Sequence, residues 1–191
     1  MSEPRPLNAE LMQRLHDVTA FLESHEIEYA LAGGLAVAVW GEPRTTYDID
    51  FVVASSEPQI VRLKTLVESS TLFAFEAEDL RLTDLSIVRA HLLTADGKDV
   101  ILVDFLCVES EFASSLLSRR IQLPVGGQNL FVVSPEDLLI LKLQSARAKD
   151  LEDARGILRE QSGELDLDEL RSSIERYQLR NVALSVGLSL D

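Results

Sequence analysis

The sequence is poor in cysteine, in aromatic residues and in long apolar stretches. Of its 191 residues, one is cysteine and 6% are aromatic. The lone Cys107 cannot form a disulfide within the chain, and there is no second thiolate for a cysteine-built metal site. No uncharged stretch reaches the ~20 residues that a membrane helix requires, and the opening residues MSEPRP lack the apolar core of a signal peptide. We therefore expect a cytoplasmic protein without a membrane partner.

Positive charge is also scarce: 18 Lys and Arg stand against 32 Asp and Glu, a net charge of −14. Sequence-independent binding to duplex DNA needs many cations against the phosphates, so we expect none. This charge is still compatible with a local basic pocket for a triphosphate or for the end of a strand. The hydrophobic share of 46% is typical of one globular domain.

Hydrophobic spacing and turn residues predict an alternation of helices and strands. The expected elements are helix 8–25 with Asn8 as its N-cap, strand 29–32, helix 35–40, strand 48–53, helix 58–68, a hairpin of 86–94 with 99–107, a hairpin of 121–123 with 130–133, helix 134–158 and helix 168–177. The predicted fold class is α+β: a mixed β-sheet flanked by helices, with further helices at the C-terminus.

Two adjacent glycines, Gly33 and Gly34, stand between the first predicted strand and the helix after it. Glycine there lets the backbone approach a ligand closely, and the amides of a helix N-terminus favour an anion such as phosphate. A tight turn without a ligand explains the same pattern, so the glycines alone leave both interpretations open.

Asp48 and Asp50 alternate on the second predicted strand, which places both carboxylates on one face. Two like charges side by side repel each other unless a cation lies between them. Mg²⁺ is commonly held by one or two carboxylates together with substrate phosphates. The alternative is a strand end where both aspartates are simply hydrated.

A third carboxylate, Asp104, interrupts the apolar run VILVDFL of residues 100–106. An aspartate in a strand that is buried on both faces is costly unless it is paired or coordinates a metal. Three carboxylates around two metal ions are typical of in-line phosphoryl transfer. The alternative is a residue at the strand edge that accepts a backbone hydrogen bond.

These residues resemble the polymerase-β-type nucleotidyltransferase superfamily: Gly33-Gly34, thirteen residues, Asp48-x-Asp50, and one later aspartate on another strand. The finer pattern Gly41-x-Pro43-Arg44-x-Thr46-x-Asp48 resembles the minimal bacterial branch that includes AbiEii-type toxins. The run KLQSARAKDLED of residues 142–153 is similar to the helix that follows the catalytic sheet in that branch. The resemblance covers about residues 8–158.

The resemblance implies a role for each matching position. Asp48, Asp50 and Asp104 would be the catalytic residues and would hold Mg²⁺ or Mn²⁺, and Asp104 would also help to activate the acceptor hydroxyl. An NTP would be bound by Gly33, Gly34, Arg44, Thr46 and Lys142. The catalytic core would span residues 1–133, and residues 134–191 would form a helical part packed on it within one compact domain.

The implied activity is Mg²⁺-dependent transfer of an NMP from an NTP to a hydroxyl, with release of pyrophosphate. The acceptor could be an RNA 3′ end such as that of a tRNA, a protein side chain or a small molecule. Many members of the family have Ser or Thr after the glycine pair, where this chain has Leu35. That departure favours the alternative of a non-catalytic nucleotide- or partner-binding module, with a cognate partner protein as in a toxin–antitoxin pair. A third candidate is antibiotic adenylylation, since an acidic surface suits a polycationic drug.

Three further features have ordinary structural explanations. Lys142 could extend its long side chain from a core helix to solvent. The helical spacing of Asp150 and Asp153 with Arg147 and Lys149 favours ordinary surface ion pairs. The apolar tail 179–191 could either complete a helical layer or meet a partner.

Overall fold

A computed structural model describes residues 9–54, 56–81, 85–94, 97–108 and 110–189. Asn8 and the hairpin turn at residues 95–96 lie outside this part of the chain. The described elements are α1 Ala9–Ser24, β1 Tyr29–Leu31, α2 Gly33–Trp40, β2 Asp48–Val53, α3 Glu57–Ser69, β3 Ala74–Arg81, β4 Leu85–Leu93, β5 Val100–Val108, α4 Ser110–Arg119, β6 Ile121–Val125, β7 Gln128–Val132, α5 Pro135–Ser145, α6 Ala148–Glu160, α7 Leu167–Arg176 and α8 Arg180–Ser185.

The strands form one mixed sheet in the order β3-β4-β5-β2-β1-β7-β6. β2 runs parallel to β5, and β1 runs parallel to β7, whereas the other neighbours are antiparallel. Both predicted hairpins are confirmed, as β4–β5 and β6–β7. The mixed sheet flanked by helices that the sequence predicts is therefore confirmed.

The two faces of the central strands differ in character because side chains alternate along a strand. Phe51 and Phe105 are opposite each other in β2 and β5, fully buried, with their rings stacked 6.1 Å apart. The preceding residues, Asp50 and Asp104, are also opposite each other and point to the other face. Burial of the phenylalanines in the core therefore directs the carboxylates together.

The predicted helix over 134–158 is wrong at its centre, where the chain forms two helices instead of one. α5 ends at Ser145, and Ala146 takes the left-handed conformation with φ of 51°. α6 then begins at Ala148. Neither glycine nor proline marks this break in the sequence. Side-chain contacts across the break stabilise it, since Ser145 and Arg147 on its two sides both donate hydrogen bonds to Asp150.

The sequence-based elements do not include three that the structure shows, namely β3, α4 and the short α8 in the tail. β3 has the sequence AFEAEDLR and lies at the edge of the sheet, where polar residues are tolerated and the apolar alternation is weak. α4 is a short helix that packs on β2 and β5. In the tail, Ala183, Val186 and Leu188 are buried, so this segment completes the helical layer. None of the helices in the described ranges is long and apolar enough to cross a membrane.

Candidate active site

Gly33 and Gly34 are the first two residues of α2, and this glycine turn packs directly on the carboxylate strand β2. Gly33 has φ of +58°, and a Cβ on it would overlap the Asp50 carboxylate. A Cβ on Gly34 would lie 2.7 Å from the Thr46 Oγ1. The amide of Ala32 donates a hydrogen bond of 2.8 Å to the backbone carbonyl of Asp50. Only glycine satisfies this backbone conformation and this close approach together.

Three aspartates meet on one face of the sheet, as the sequence predicts. Asp48 and Asp50 are half-buried on β2, and Asp104 is buried opposite Asp50 on β5. Burial, reinforced by the nearby charges of Asp48 and Asp104, raises the pKa of Asp50 to about 6. The raised pKa is the expected consequence of like charges held close together in a partly dehydrated site.

Arg89, on β4, is a site residue that the sequence analysis did not identify. It is opposite Asp104 in the β4–β5 register. Its Nε and Nη2 donate to the two carboxylate oxygens of Asp104, each at 2.7 Å. The hydrogen bonds that Arg89 donates to Asp104 raise the pKa of Arg89, so the guanidinium stays charged. The sequence shows an arginine within the predicted strand 86–94. Only the pairing of β4 with β5 shows that its partner is Asp104.

The donor set at this site fits Mg²⁺ through two carboxylates. Asp48 and Asp50 offer oxygens on adjacent outward positions of one strand, which together with substrate phosphates is a usual magnesium environment. Within the described ranges, no group of three carboxylate, imidazole or thiolate side chains is close enough to hold a metal ion. Asp104 as a metal ligand stays a prediction, and that role requires Arg89 to release it.

Arg44 and Lys142 belong to one buried network of charges beside the glycine turn. Arg44 donates through Nε and Nη2 to Asp153 at 2.7 and 3.0 Å. The Lys142 Nζ lies 2.8 Å from Asp150 and 2.9 Å from Asp153. Lys142 is 6% exposed, so its amine does not extend to solvent.

The interpretation of Asp150 and Asp153 as surface ion pairs is wrong about their location, although Arg147 does pair with Asp150 at 2.6 Å. Both are buried, at 1% and 6% exposure. Burial alone would raise the pKa of Asp150, but hydrogen bonds from Lys142, Ser145 and Arg147 outweigh it and lower the pKa to about 2. The break between α5 and α6 allows this, because it turns α6 back toward α5.

A cavity of about 1270 Å³ contains most of these groups. Of the predicted site residues, Gly33, Gly34, Arg44, Asp48, Asp50, Asp104 and Lys142 line it. Thr46 is buried beside them, and its hydroxyl donates a hydrogen bond to the Asp48 carboxylate. The geometry therefore brings together carboxylates, a glycine turn and cations in one cavity, the combination that phosphate transfer needs.

Residues 9–185 match a family model described as a nucleotidyltransferase of unknown function, DUF6036. The chain belongs to this family. The match includes every site residue named above. No functionally curated protein matches the sequence.

Solved structures support the same fold for this DUF6036 member. An antigenic nucleotidyltransferase-like protein from Paracoccidioides brasiliensis is 25% identical, with a TM-score of 0.58 over 94% of this chain and 92% of that one. The antibiotic-resistance factor ANT(2'')-Ia is 15% identical, with a TM-score of 0.57 over 92% and 95%. JHP933 from Helicobacter pylori is 17% identical, with a TM-score of 0.56 over 97% and 81%. These likenesses establish a nucleotidyltransferase fold.

Proposed function

We propose that this DUF6036 protein transfers a nucleoside monophosphate from an NTP to a hydroxyl group and releases pyrophosphate. The observation that carries the proposal is the contact between the glycine turn and the carboxylate strand. The backbone of Gly33 lies so close to Asp50 that no side chain fits between them. Phosphates bound at the turn would therefore lie beside the carboxylates.

The reaction requires one bond to form and one to break at the α-phosphorus. The acceptor oxygen bonds to that phosphorus, the bond to the bridging oxygen of the β-phosphate breaks, and pyrophosphate leaves. Asp104, next to Asp50 on the site face, would accept the hydroxyl proton, and this role, like metal binding, requires Arg89 to release one of its carboxylate oxygens. Arg44 and Lys142 would offset negative charge on the triphosphate. Asp48 and Asp50 would hold Mg²⁺ or Mn²⁺, which supplies charge stabilisation to the phosphates when bound.

Labelled NTPs test the proposal. Each of the four, labelled at the α-phosphate, is incubated with the protein, Mg²⁺ and a bacterial lysate. We expect label on an RNA, a protein or a small molecule with the wild type and none with the Asp48→Ala/Asp50→Ala variant. The matched control is Asp168→Ala, which removes an aspartate whose side chain is 94% exposed on α7 and leaves transfer unchanged. Equal labelling by wild type and double variant contradicts the proposal.

The second candidate function is a non-catalytic module that binds a nucleotide or a cognate protein, as in toxin–antitoxin pairs that include AbiEii-type proteins. Leu35 favours it, since this position is buried in the core and offers no hydroxyl to a phosphate. Calorimetry separates the candidates: Mg²⁺-dependent nucleotide binding without transfer of label under any NTP supports the module.

A further inference from the structure

Part of the cavity lining is apolar, and none of these apolar residues is among those assigned to the nucleotide. The apolar part is formed by Ile87 on β4, Leu106 and Val108 on β5, Phe112 on α4, Leu141 on α5 and Tyr177 just after α7. We call these six residues the apolar wall. The Phe112 and Tyr177 rings are in contact, with their centroids 5.0 Å apart. The cavity lining therefore combines charged groups with an apolar wall, next to which lies the Glu111–Arg176 ion pair.

The apolar wall begins immediately beyond Asp104 along the sheet. Arg89 is opposite Asp104, and two residues further on Ile87 is opposite Leu106. Residues two apart on a strand point to the same face and are separated by ~7 Å. A molecule whose hydroxyl lies at Asp104 can therefore extend its body over Leu106 and Ile87.

The cavity is large enough for two molecules. Its volume of about 1270 Å³ exceeds the ~300–1,000 Å³ of most single-ligand pockets. A nucleotide at the glycine turn leaves the apolar wall for a second molecule.

The charges that line the cavity do not favour a cationic second molecule. The described lining residues include six cations, namely Arg44, Arg89, Lys142, Arg147, Lys149 and Arg176, and five carboxylates, namely Asp48, Asp50, Asp104, Glu111 and Asp150. This balance differs from the acidic excess of the whole chain.

Three of those carboxylates already have a basic partner. Asp104 is bound by Arg89, Asp150 by Lys142, and Glu111 lies 2.5 Å from Arg176. In the described lining, only Asp48 and Asp50 are left for a metal or an incoming cation. A polycation would therefore compete with the metal and meet the apolar wall with charged groups, which is costly.

We infer that the apolar wall is the acceptor subsite and takes a small hydroxyl compound with an uncharged, apolar body. The role of the apolar wall as an acceptor subsite rests on the proposed function. The existence of a binding site for uncharged ligands at the apolar wall does not. It separates this chain from the fold neighbour ANT(2'')-Ia, which was solved in complex with adenylyl-2''-tobramycin. Antibiotic adenylylation is a candidate because the whole chain is acidic. The cavity itself is not acidic, so we favour an uncharged acceptor over a polycationic drug.

The first test uses N-phenyl-1-naphthylamine, an uncharged probe that fluoresces when it enters an apolar site. We expect one probe to bind the wild-type chain. Leu106→Glu should weaken binding about tenfold or more, because a charge then faces the apolar probe. Val61→Glu is the matched control, since Val61 is 56% exposed on α3, away from the cavity. Melting temperatures check that the variants fold, and Ile87→Asn provides a second variant if Leu106→Glu does not.

Competition shows whether the subsite is separate from the nucleotide half. The probe should stay bound when α,β-methylene-ATP with Mg²⁺ or tobramycin is added. Displacement by the nucleotide analogue, displacement by tobramycin, or equal binding by wild type and the wall variants overturns the inference.

The chemical nature of the labelled product completes the test. Product from the lysate reaction should be a small molecule retained on a reversed-phase column and not on a cation exchanger. Label on RNA, on protein or on a polycation overturns the inference while upholding the proposed transfer. If no label moves, the proposed catalysis fails, and the probe experiment still decides whether the apolar wall binds uncharged ligands.

Discussion

Arg89 and Asp104 face each other across β4 and β5, and the guanidinium binds both carboxylate oxygens at 2.7 Å. Asp104 is 8% exposed and lies beside Asp50, and Arg89 is the basic partner that it has at this position. The pair carries no net charge, and it lies between the carboxylates Asp48 and Asp50 and the apolar wall. A bidentate contact also fixes the direction of the carboxylate, which a single hydrogen bond does not.

Arg89→Leu should lower the free energy of unfolding by ~1–3 kcal/mol, since a buried carboxylate loses its hydrogen bonds. Arg89→Lys should recover only part of this, because lysine cannot bind both oxygens in one plane. Urea denaturation measures the interaction free energy between Arg89 and Asp104 in a double-mutant cycle. The cycle compares Arg89→Leu, Asp104→Asn and the Arg89→Leu/Asp104→Asn double variant, and Arg89→Lys is measured beside them. Strictly additive effects would show that the pair contributes nothing.

Gly33→Ala should weaken Mg²⁺-nucleotide binding more than the same substitution at another glycine with positive φ. A left-handed conformation costs a non-glycine residue about 1–2 kcal/mol, and here the new methyl group would also overlap the Asp50 carboxylate. Gly97→Ala is the matched control, because Gly97 has φ of +69° with no described atom within 4 Å of the added Cβ. Calorimetry should show loss of Mg²⁺-nucleotide binding for Gly33→Ala alone, and similar binding by both variants would contradict the close approach.

The buried network around Asp150 should make stability depend on pH. The pKa of Asp150 is about 2 in the folded chain and 3.8 as its ordinary value. A lowered pKa means that the contribution is complete above pH ~4 and is lost as the pH falls toward ~2, an effect of ~2 kcal/mol. Asp150→Asn should therefore show a shallower loss of stability over this range, and parallel curves for the two proteins would refute the assignment.

Cys107 should be unreactive in the native protein. Burial raises the pKa of its thiol to about 11, so little thiolate is present at neutral pH. A thiol reagent such as DTNB should modify one thiol per chain at the rate of unfolding, and immediately in guanidinium chloride. Rapid modification of the native protein would show that β5 opens locally.

The sequence identified the residues whose chemistry is local. The alternation of Asp48 and Asp50 and the isolated Asp104 are patterns within single elements, and each lies on the strand expected for it. The glycine pair follows the expected strand, but it forms the first two residues of α2 and does not precede the helix. The structure differs where a partner comes from another element. The partner of Arg89 depends on strand pairing, and the buried partners of Asp150 and Asp153 depend on α6 turning back toward α5. The spacing of residues along one segment does not predict either arrangement.

Alternation and turn chemistry thus determined by themselves the mixed sheet, the site strand and the glycine turn, because φ/ψ preferences and side-chain direction act over a few residues. Tertiary structure alone decided which charges are neutralised. Desolvation forces each buried charge to find a partner, and those partners are 15 residues apart for Arg89 and Asp104 and 109 apart for Arg44 and Asp153. The chain is acidic as a whole, but its cavity is not, because the folded structure brings six of its cations and only five carboxylates to the cavity lining.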